Sequence, residues 1–215
     1  MGKTTRLLGT LNAGDEILDF VGPLGNASEF GNVRKVAVIG GGLGTAIAYP
    51  QAKKLHSMGV DVDVIAGFRN KDLIILEDEL KKVSSNLYIT TDDGSNGRKG
   101  LVTDVLKQLI ENGNNYDLVI AIGPLIMMKF VCELTRKYGI KTIVSMNPVM
   151  IDGTGMCGGC RLTVGGETRF ACVDGPDFDG HLVDFDEAIR RQSMYRKEER
   201  QCDEEYCRLE RLSNA

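Results

Sequence analysis

No apolar run in this 215-residue chain reaches the length needed to cross a bilayer, about 20 residues. The N-terminal stretch MGKTTRLLGTL also lacks the apolar segment of a secretory signal. The expectation is a cytoplasmic protein without a membrane partner. A surplus of basic charge is missing as well: Lys and Arg are dispersed and the formal net charge is −4, so no nucleic-acid footprint is expected. Internal repeats and low-complexity tracts are not visible. What remains, 42% hydrophobic and 26% charged residues, is the profile of a globular chain large enough for one core or two small ones.

Two residue types stand out by clustering. The 26 glycines gather at Gly40-Gly41-Gly42-Leu43-Gly44, at Gly153 to Gly159 and at Gly165-Gly166, places where backbone turns sharply or approaches a ligand. The six cysteines are Cys132, Cys157, Cys160, Cys172, Cys202 and Cys207. In a cytosolic setting such thiols point to metal binding before disulfides.

Along the chain, residues 1–31 read as a fragment with a strand at Ile17–Val21, too little to form a sheet by itself. From Val33 strands and helices alternate. Strands are expected at Val36–Ile39, Val60–Ile65, Asn86–Thr90, Leu118–Ile122 and Thr142–Ser145. Helices are expected from the glycine turn through Met58, then at Lys71–Val83, Leu101–Ile110 and Leu125–Tyr138. This rhythm predicts a doubly wound parallel α/β sheet. The rhythm breaks near Asn147, where a hairpin is expected from Arg161–Val164 and Glu167–Ala171 across Gly165-Gly166. A charge-rich helix or helix pair follows from Phe185. The expected units are 1–31, a nucleotide-binding domain over 32–147, a cysteine module over 148–184 and a helical tail over 185–215.

The cysteine spacing is Cys157-x₂-Cys160-x₁₁-Cys172, with the hairpin returning the third thiol to the first two. Three thiolates are one donor short of a [2Fe–2S] cluster or a closed zinc site. A plant-type Cys-x₄-Cys-x₂-Cys pattern places its first ligand at position 152, occupied here by Asp152. Asp152, Cys157, Cys160 and Cys172 are therefore the candidate metal ligands. A structural zinc site or buried free thiols are the plainer alternatives. Cys132 and Cys202 read as packing residues on helices, and Cys207 falls off the stripe that Cys202 shares with Tyr206 and Leu209.

Val36–Ile39 followed by Gly40-Gly41-Gly42-Leu43-Gly44-Thr45 is a strand, a glycine turn and a helix start, a geometry that presents N–H groups and a helix dipole to a pyrophosphate. Glycine turns also serve plain strand–helix packing. The second strand ends in Arg69 rather than an acidic residue, which leaves NAD(H) and NADP(H) both open. The polar stretch Thr90 to Gly97 follows the third strand at the edge where open sheets bind ligands.

These residues carry a family resemblance through GKTT, GDEILDFVGPLG, VIGGGLGTAIAYPQAK, FRNKDLIILEDEL, TTDDGSNGRKGLVTDVL, AIGPLIMMK and the long stretch SMNPVMIDGTGMCGGCRLTVGGETRFACVDGPDFDGHLVDFDEA. From residue 2 to about residue 191 the chain resembles the ferredoxin–NADP reductase-like electron-transfer subunits. That family includes the alpha subunit of NADH-dependent reduced ferredoxin:NADP oxidoreductase, the sulfide dehydrogenase beta subunit and, more distantly, the dihydroorotate dehydrogenase electron-transfer subunit. The resemblance implies a subunit that relays electrons among NAD(H) or NADP(H), FAD and a [2Fe–2S] cluster. Its implied partners are a larger flavin and iron–sulfur subunit and ferredoxin. Gly41, Gly42 and Gly44, with Thr45, would hold the nucleotide phosphates, Asp92 and Gly94 would approach a ribose, and Gly123, Pro124 and Met127 would lie near the nicotinamide. Gly2, Thr4 and Thr5 would correspond to the loop receiving the FAD pyrophosphate. No side chain is expected to be catalytic in itself.

Two departures accompany the resemblance. Thr45-Ala46-Ile47 stands where relatives usually carry Val-Ala-Pro. The resemblance makes residues 1–31 a remnant of the FAD-binding β-barrel, and most of that barrel, with its Arg-x-Tyr type motif, has no counterpart. The flavin is therefore expected in a longer form of the protein or on another chain, and the chain alone is expected to be inactive.

Overall fold

A computed structural model describes residues 3–213, with side chains for 4–204. Gly2 and the side chains of Tyr206, Cys207 and Leu209 lie outside the described residues. Five parallel strands form the centre: β1 (Lys35–Gly41), β2 (Asp61–Phe68), β3 (Asn86–Thr91), β4 (Leu118–Ile122) and β5 (Thr142–Ser145). They carry continuous apolar runs because both faces of the sheet are covered. In β1 the period of two divides the core: Val36 and Val38 join one buried cluster, Ala37 and Ile39 the other.

The helices follow from that division. The cluster of Val36 and Val38 includes Ala48, Ala52 and Leu55 of α2 (Gly44–Ser57) and Leu80 of α3 (Glu77–Lys81). The opposite cluster takes Val105, Leu106 and Leu109 of α4 (Val102–Glu111) with Leu125, Met128 and Val131 of α5 (Leu125–Lys137). It continues without a break into Cys160, Leu162, Ala171 and Cys172 of the cysteine module and Phe185 and Ala188 of α6 (Phe185–Gln192). A charged helix, α7 (Arg196–Ser213), ends the described chain, and its Asp203 pairs at 2.7 Å with Arg6 of the N-terminal helix α1 (Lys3–Leu8).

The hairpin is β6 (Arg161–Val164) and β7 (Glu167–Phe170). A further short strand, β8 (Asp177–Asp179), pairs antiparallel with β5, giving the order β3-β2-β1-β4-β5-β8. The strand order reverses between β1 and β4, so their carboxyl ends open the crevice in which such sheets bind ligands.

Two expectations are corrected. Lys71–Val83 is not one helix: a 3₁₀ turn (Lys71–Leu73) is separated from α3 by Leu76 at φ 56°. Leu76 and Leu80 pack on the core, whereas Leu73 is 51% exposed, so the leucine spacing overstated the helical face. Ile17–Val21 forms no strand, and Leu18 and Phe20 are 99% and 93% exposed. Strand propensity there finds no partner strand to satisfy it. The N-terminal segment begins with the short helix α1.

Candidate functional site

At the crevice, the ends of β1 and β4 pack backbone against backbone. A Cβ on Gly44 would stand 2.4 Å from the Ile122 carbonyl oxygen and 2.7 Å from Gly123 Cα. One on Gly41 would meet Met127 Sδ at 2.5 Å and Pro124 Cδ at 2.9 Å. Gly41, Gly44, Gly123, Pro124 and Met127, separated by some 80 residues in sequence, are thus gathered at one point. Gly42, at φ 54°, has nothing within 4 Å of where a Cβ would stand, so the turn keeps its tip open. Its N–H donates to the Gly67 carbonyl (2.8 Å), tying the turn to the end of β2. No side chain caps the N-terminus of α2, which leaves that end free for an anion. Thr45 lies fully buried beneath the turn, and its N–H donates to the Gly42 carbonyl (3.1 Å).

The loop after β3 is folded around Asn96, whose side chain accepts from Thr91 Oγ1 (2.8 Å) and donates to the Ile89 carbonyl (3.0 Å). Asp92 and Asp93 donate their N–H groups to the carbonyls of Phe68 and Arg69 (3.0 and 3.3 Å), which brings Arg69 and Asp92 to adjacent strand ends. The side chains of Arg69, Asp92 and Asp93 are exposed there. Gly94 takes φ 79° at the turn. Thr4 and Thr5 are exposed on α1.

In the cysteine module, Cys160 Sγ and Cys172 Sγ lie 3.2 Å apart and are buried, whereas Cys157 is exposed. Burial, and then the hydrogen bond with Cys160, raise the Cys172 thiol above its ordinary pKa, while the Gly155 N–H works in the opposite direction. The Gly159 N–H donates to Cys157 Sγ at 3.3 Å. Glycine amides therefore face the sulfurs, the pattern that stabilises thiolate ligands. Asp152 accepts from the N–H of Thr154 at Oδ1 (2.9 Å) and of Cys157 at Oδ2 (2.8 Å). These bonds, the one from Thr154 first, hold its carboxyl below the usual carboxylate range. Each oxygen retains a second lone pair.

Among the described residues, no three His, Cys, Asp or Glu side chains close on a single point as they would around one ion. A two-iron cluster distributes its ligands over two centres, and three thiols with an ionised carboxylate suit it chemically. Cys132 behaves as the expected packing residue, buried and with its pKa pushed up to about 12 by desolvation, whereas Cys202, also expected to pack, is exposed on the charged α7.

Two features escaped sequence reasoning. The segment preceding β1 is stitched to the cysteine module: the Asn26 N–H donates to the Gly175 carbonyl (2.7 Å), and Ser28 Oγ donates to Asp177 Oδ2 (2.5 Å). A cavity of about 240 Å³ lies beside the cysteine loop, lined among others by Leu125, Met146, Ile151, Cys157, Arg161 and Arg191. Leu125 directly follows Pro124 and Met146 directly follows β5, so this cavity joins the carboxyl edge of the sheet to the cysteine loop.

Among the described residues, no helix is long and apolar enough to cross a membrane. Residues 147–184 match the family model of the iron–sulfur cluster binding domain of dihydroorotate dehydrogenase B. A dihydroorotate dehydrogenase B electron transfer subunit homolog of Thermotoga maritima is 49% identical over 200 residues, 93% of this chain and 70% of the relative. A probable electron transfer subunit of Methanocaldococcus jannaschii is 36% identical over 199 residues, 92% of this chain and 74% of that one. Among solved structures, a chain of an NADH-dependent reduced ferredoxin–NADP oxidoreductase superposes with TM-score 0.87 at 48% identity, covering 96% of this chain and 74% of its own. Fold, cysteine module and relatives agree: the chain belongs to the oxidoreductase family of dihydroorotate dehydrogenase B electron-transfer subunits and their homologues.

Proposed function

We propose that this chain relays electrons between a nicotinamide nucleotide in the β1/β4 crevice and a [2Fe–2S] cluster on Asp152, Cys157, Cys160 and Cys172, toward a larger oxidoreductase subunit. When bound, a flavin takes up the two electrons of a hydride and releases them singly, and the cluster carries one at a time. The observation that carries the reading is the cavity wall shared by Leu125 and Met146 from the sheet edge and Cys157 from the cysteine loop. It brings the two candidate sites to adjoining positions.

The residues divide the work. The turn at Gly41, Gly42 and Gly44 receives the pyrophosphate against the uncapped end of α2, with Thr45 supporting the turn from beneath. Asp92 and Gly94 meet a ribose, with Arg69 beside them. A carboxylate at that point accepts ribose hydroxyl hydrogen bonds and the adjacent Arg69 guanidinium accommodates a 2′-phosphate, so the site suits NAD(H) and NADP(H) alike. Gly123, Pro124 and Met127 shape the nicotinamide end. The amides of Gly155 and Gly159 stabilise thiolate charge, and the exposed Thr4 and Thr5 hydroxyls are suited to the FAD pyrophosphate. Ferredoxin is the proposed outer electron carrier, and the physiological complex is proposed to lie in the cytoplasm.

Anaerobically purified protein should be reddish-brown, contain about two irons per chain and bind a reduced nicotinamide nucleotide. A colourless protein with stoichiometric zinc would instead support a zinc-stabilised nucleotide-binding scaffold and end the electron-relay reading. The isolated chain should not turn over NADH with a dye acceptor, because no isoalloxazine-holding motif is found in it. Robust turnover without a partner would overturn that part of the proposal.

A further inference from the structure

The peptides between Cys157 and Cys160 are held from outside by two arginines. Arg161 Nη1 donates to the Gly158 carbonyl at 3.3 Å, and Arg191 Nη2 donates to the Gly159 carbonyl at 3.2 Å. A trans peptide directs its C=O and N–H to opposite sides. The Gly158–Gly159 peptide displays the result: its carbonyl faces Arg161 while its N–H, that of Gly159, donates to Cys157 Sγ at 3.3 Å. By the same geometry, a Gly159 carbonyl turned toward Arg191 turns the Cys160 N–H toward the inner side of the loop.

Arg191 does not belong to the cysteine module. It lies on α6, beyond the matched residues 147–184, and α6 is fixed from several directions. Its N-cap Asp184 accepts from the Glu187 N–H (2.8 Å), Asp186 pairs with Lys129 of α5 (2.7 Å), and Phe185 and Ala188 are buried in the core. Glu187, one turn before Arg191, accepts from the Thr163 N–H of β6 (3.1 Å). A guanidinium carried by this helix therefore has its place set by the nucleotide-binding domain and is itself only partly exposed.

We infer that Arg191 is a positioning residue for the cysteine site: it orients the Gly159–Cys160 peptide and sets a fixed positive charge beside the loop, stabilising the reduced, more negative form of the bound cluster. The inference rests on the [2Fe–2S] reading of that site. Two effects act with the same sign, since an inward N–H dipole and an adjacent cation both favour added negative charge. Removing them makes the midpoint potential more negative.

The test is an EPR-monitored redox titration of the anaerobically purified chain, with iron content measured on each sample. In R191Q the ratio of reduced to oxidised cluster at the wild-type midpoint should fall roughly tenfold, equivalent to about 59 mV for one electron, with iron retained. R191K, which keeps the charge and a hydrogen-bond donor, should recover most of the wild-type midpoint. An R191Q midpoint equal to wild type overturns the inference, as does an R191K midpoint displaced as far as that of R191Q. Should R191Q fail to fold or to hold iron, R191M, which keeps the aliphatic stem and removes charge and donors, decides: a midpoint more negative than wild type supports the role and an unchanged one overturns it. A wild-type chain without an iron–sulfur signal would refute the underlying reading of the site instead.

Discussion

Substituting Gly44→Ala tests whether backbone contact between β1 and β4 shapes the nucleotide crevice. The added Cβ would stand 2.4 Å from the Ile122 carbonyl oxygen and 2.7 Å from Gly123 Cα. Neither neighbour is a side chain that can swing aside, so α2 or β4 must shift. Overpacking of this kind costs about 1–3 kcal/mol, which for a chain of this size lowers Tm by roughly 2–12 °C. Alanine's better helix propensity returns about 0.5–1 kcal/mol at most. The same shift moves the turn that is proposed to meet the pyrophosphate, so NADH affinity should fall by at least about tenfold, or 1.4 kcal/mol.

Two controls separate the causes. Gly41→Ala meets the flexible Met127 Sδ and Pro124 Cδ, and should cost less than Gly44→Ala. Gly139→Ala, at φ 66° in open space after α5, bears only the left-handed backbone cost of about 1–2 kcal/mol and should leave NADH binding alone. Calorimetric melting and isothermal titration read both quantities. If Gly44→Ala melts and binds NADH like wild type, the close approach of the strand ends does not govern the crevice.

Asp152 and His181 offer two further predictions. Asp152→Cys should retain iron with a displaced midpoint, whereas Asp152→Ala removes the acceptor for the Thr154 and Cys157 amides and should loosen the loop; an Asp152→Ala protein with unchanged spectrum and potential would require another fourth ligand. Burial, and then the charge of Arg136, depress the pKa of His181 below 6.5, against a weaker opposing pull from Asp179. The unfolded chain thus binds more protons, so the stability contribution is complete above about 6.5 and is lost as pH falls through that value toward the folded pKa. A Tm series between about pH 5 and 8 should show this decline and its flattening in His181→Gln; an identical pH profile in the variant would refute the assignment.

The parallel strands were legible because burial on both faces leaves an uninterrupted apolar run, as in Val36–Ile39. The glycine turn and the cysteine spacing were legible because each is local in sequence. Other features depend on contacts between distant residues. Asp177-Phe178-Asp179 has neither the length nor the composition of a strand, and becomes β8 by pairing with Ile143–Ser145. Ile17–Val21 has strand composition, yet it forms no strand without a neighbour. Arg191 reads as one more charge on a polar helix, and only folding carries it to a carbonyl 32 residues away.

The pairing of Ser145 with Asp177, reinforced by the Met146 N–H on the Pro176 carbonyl (2.9 Å), has an architectural consequence. The sulfur-bearing stretch leaves the sheet at one strand and re-enters at its immediate neighbour, so its two roots stand about 5 Å apart. That gap is one a tight turn can bridge. The strand order is therefore indifferent to how long the excursion is, and a sheet of this kind can gain, lose or resize such a metal-binding insert without rethreading its chain.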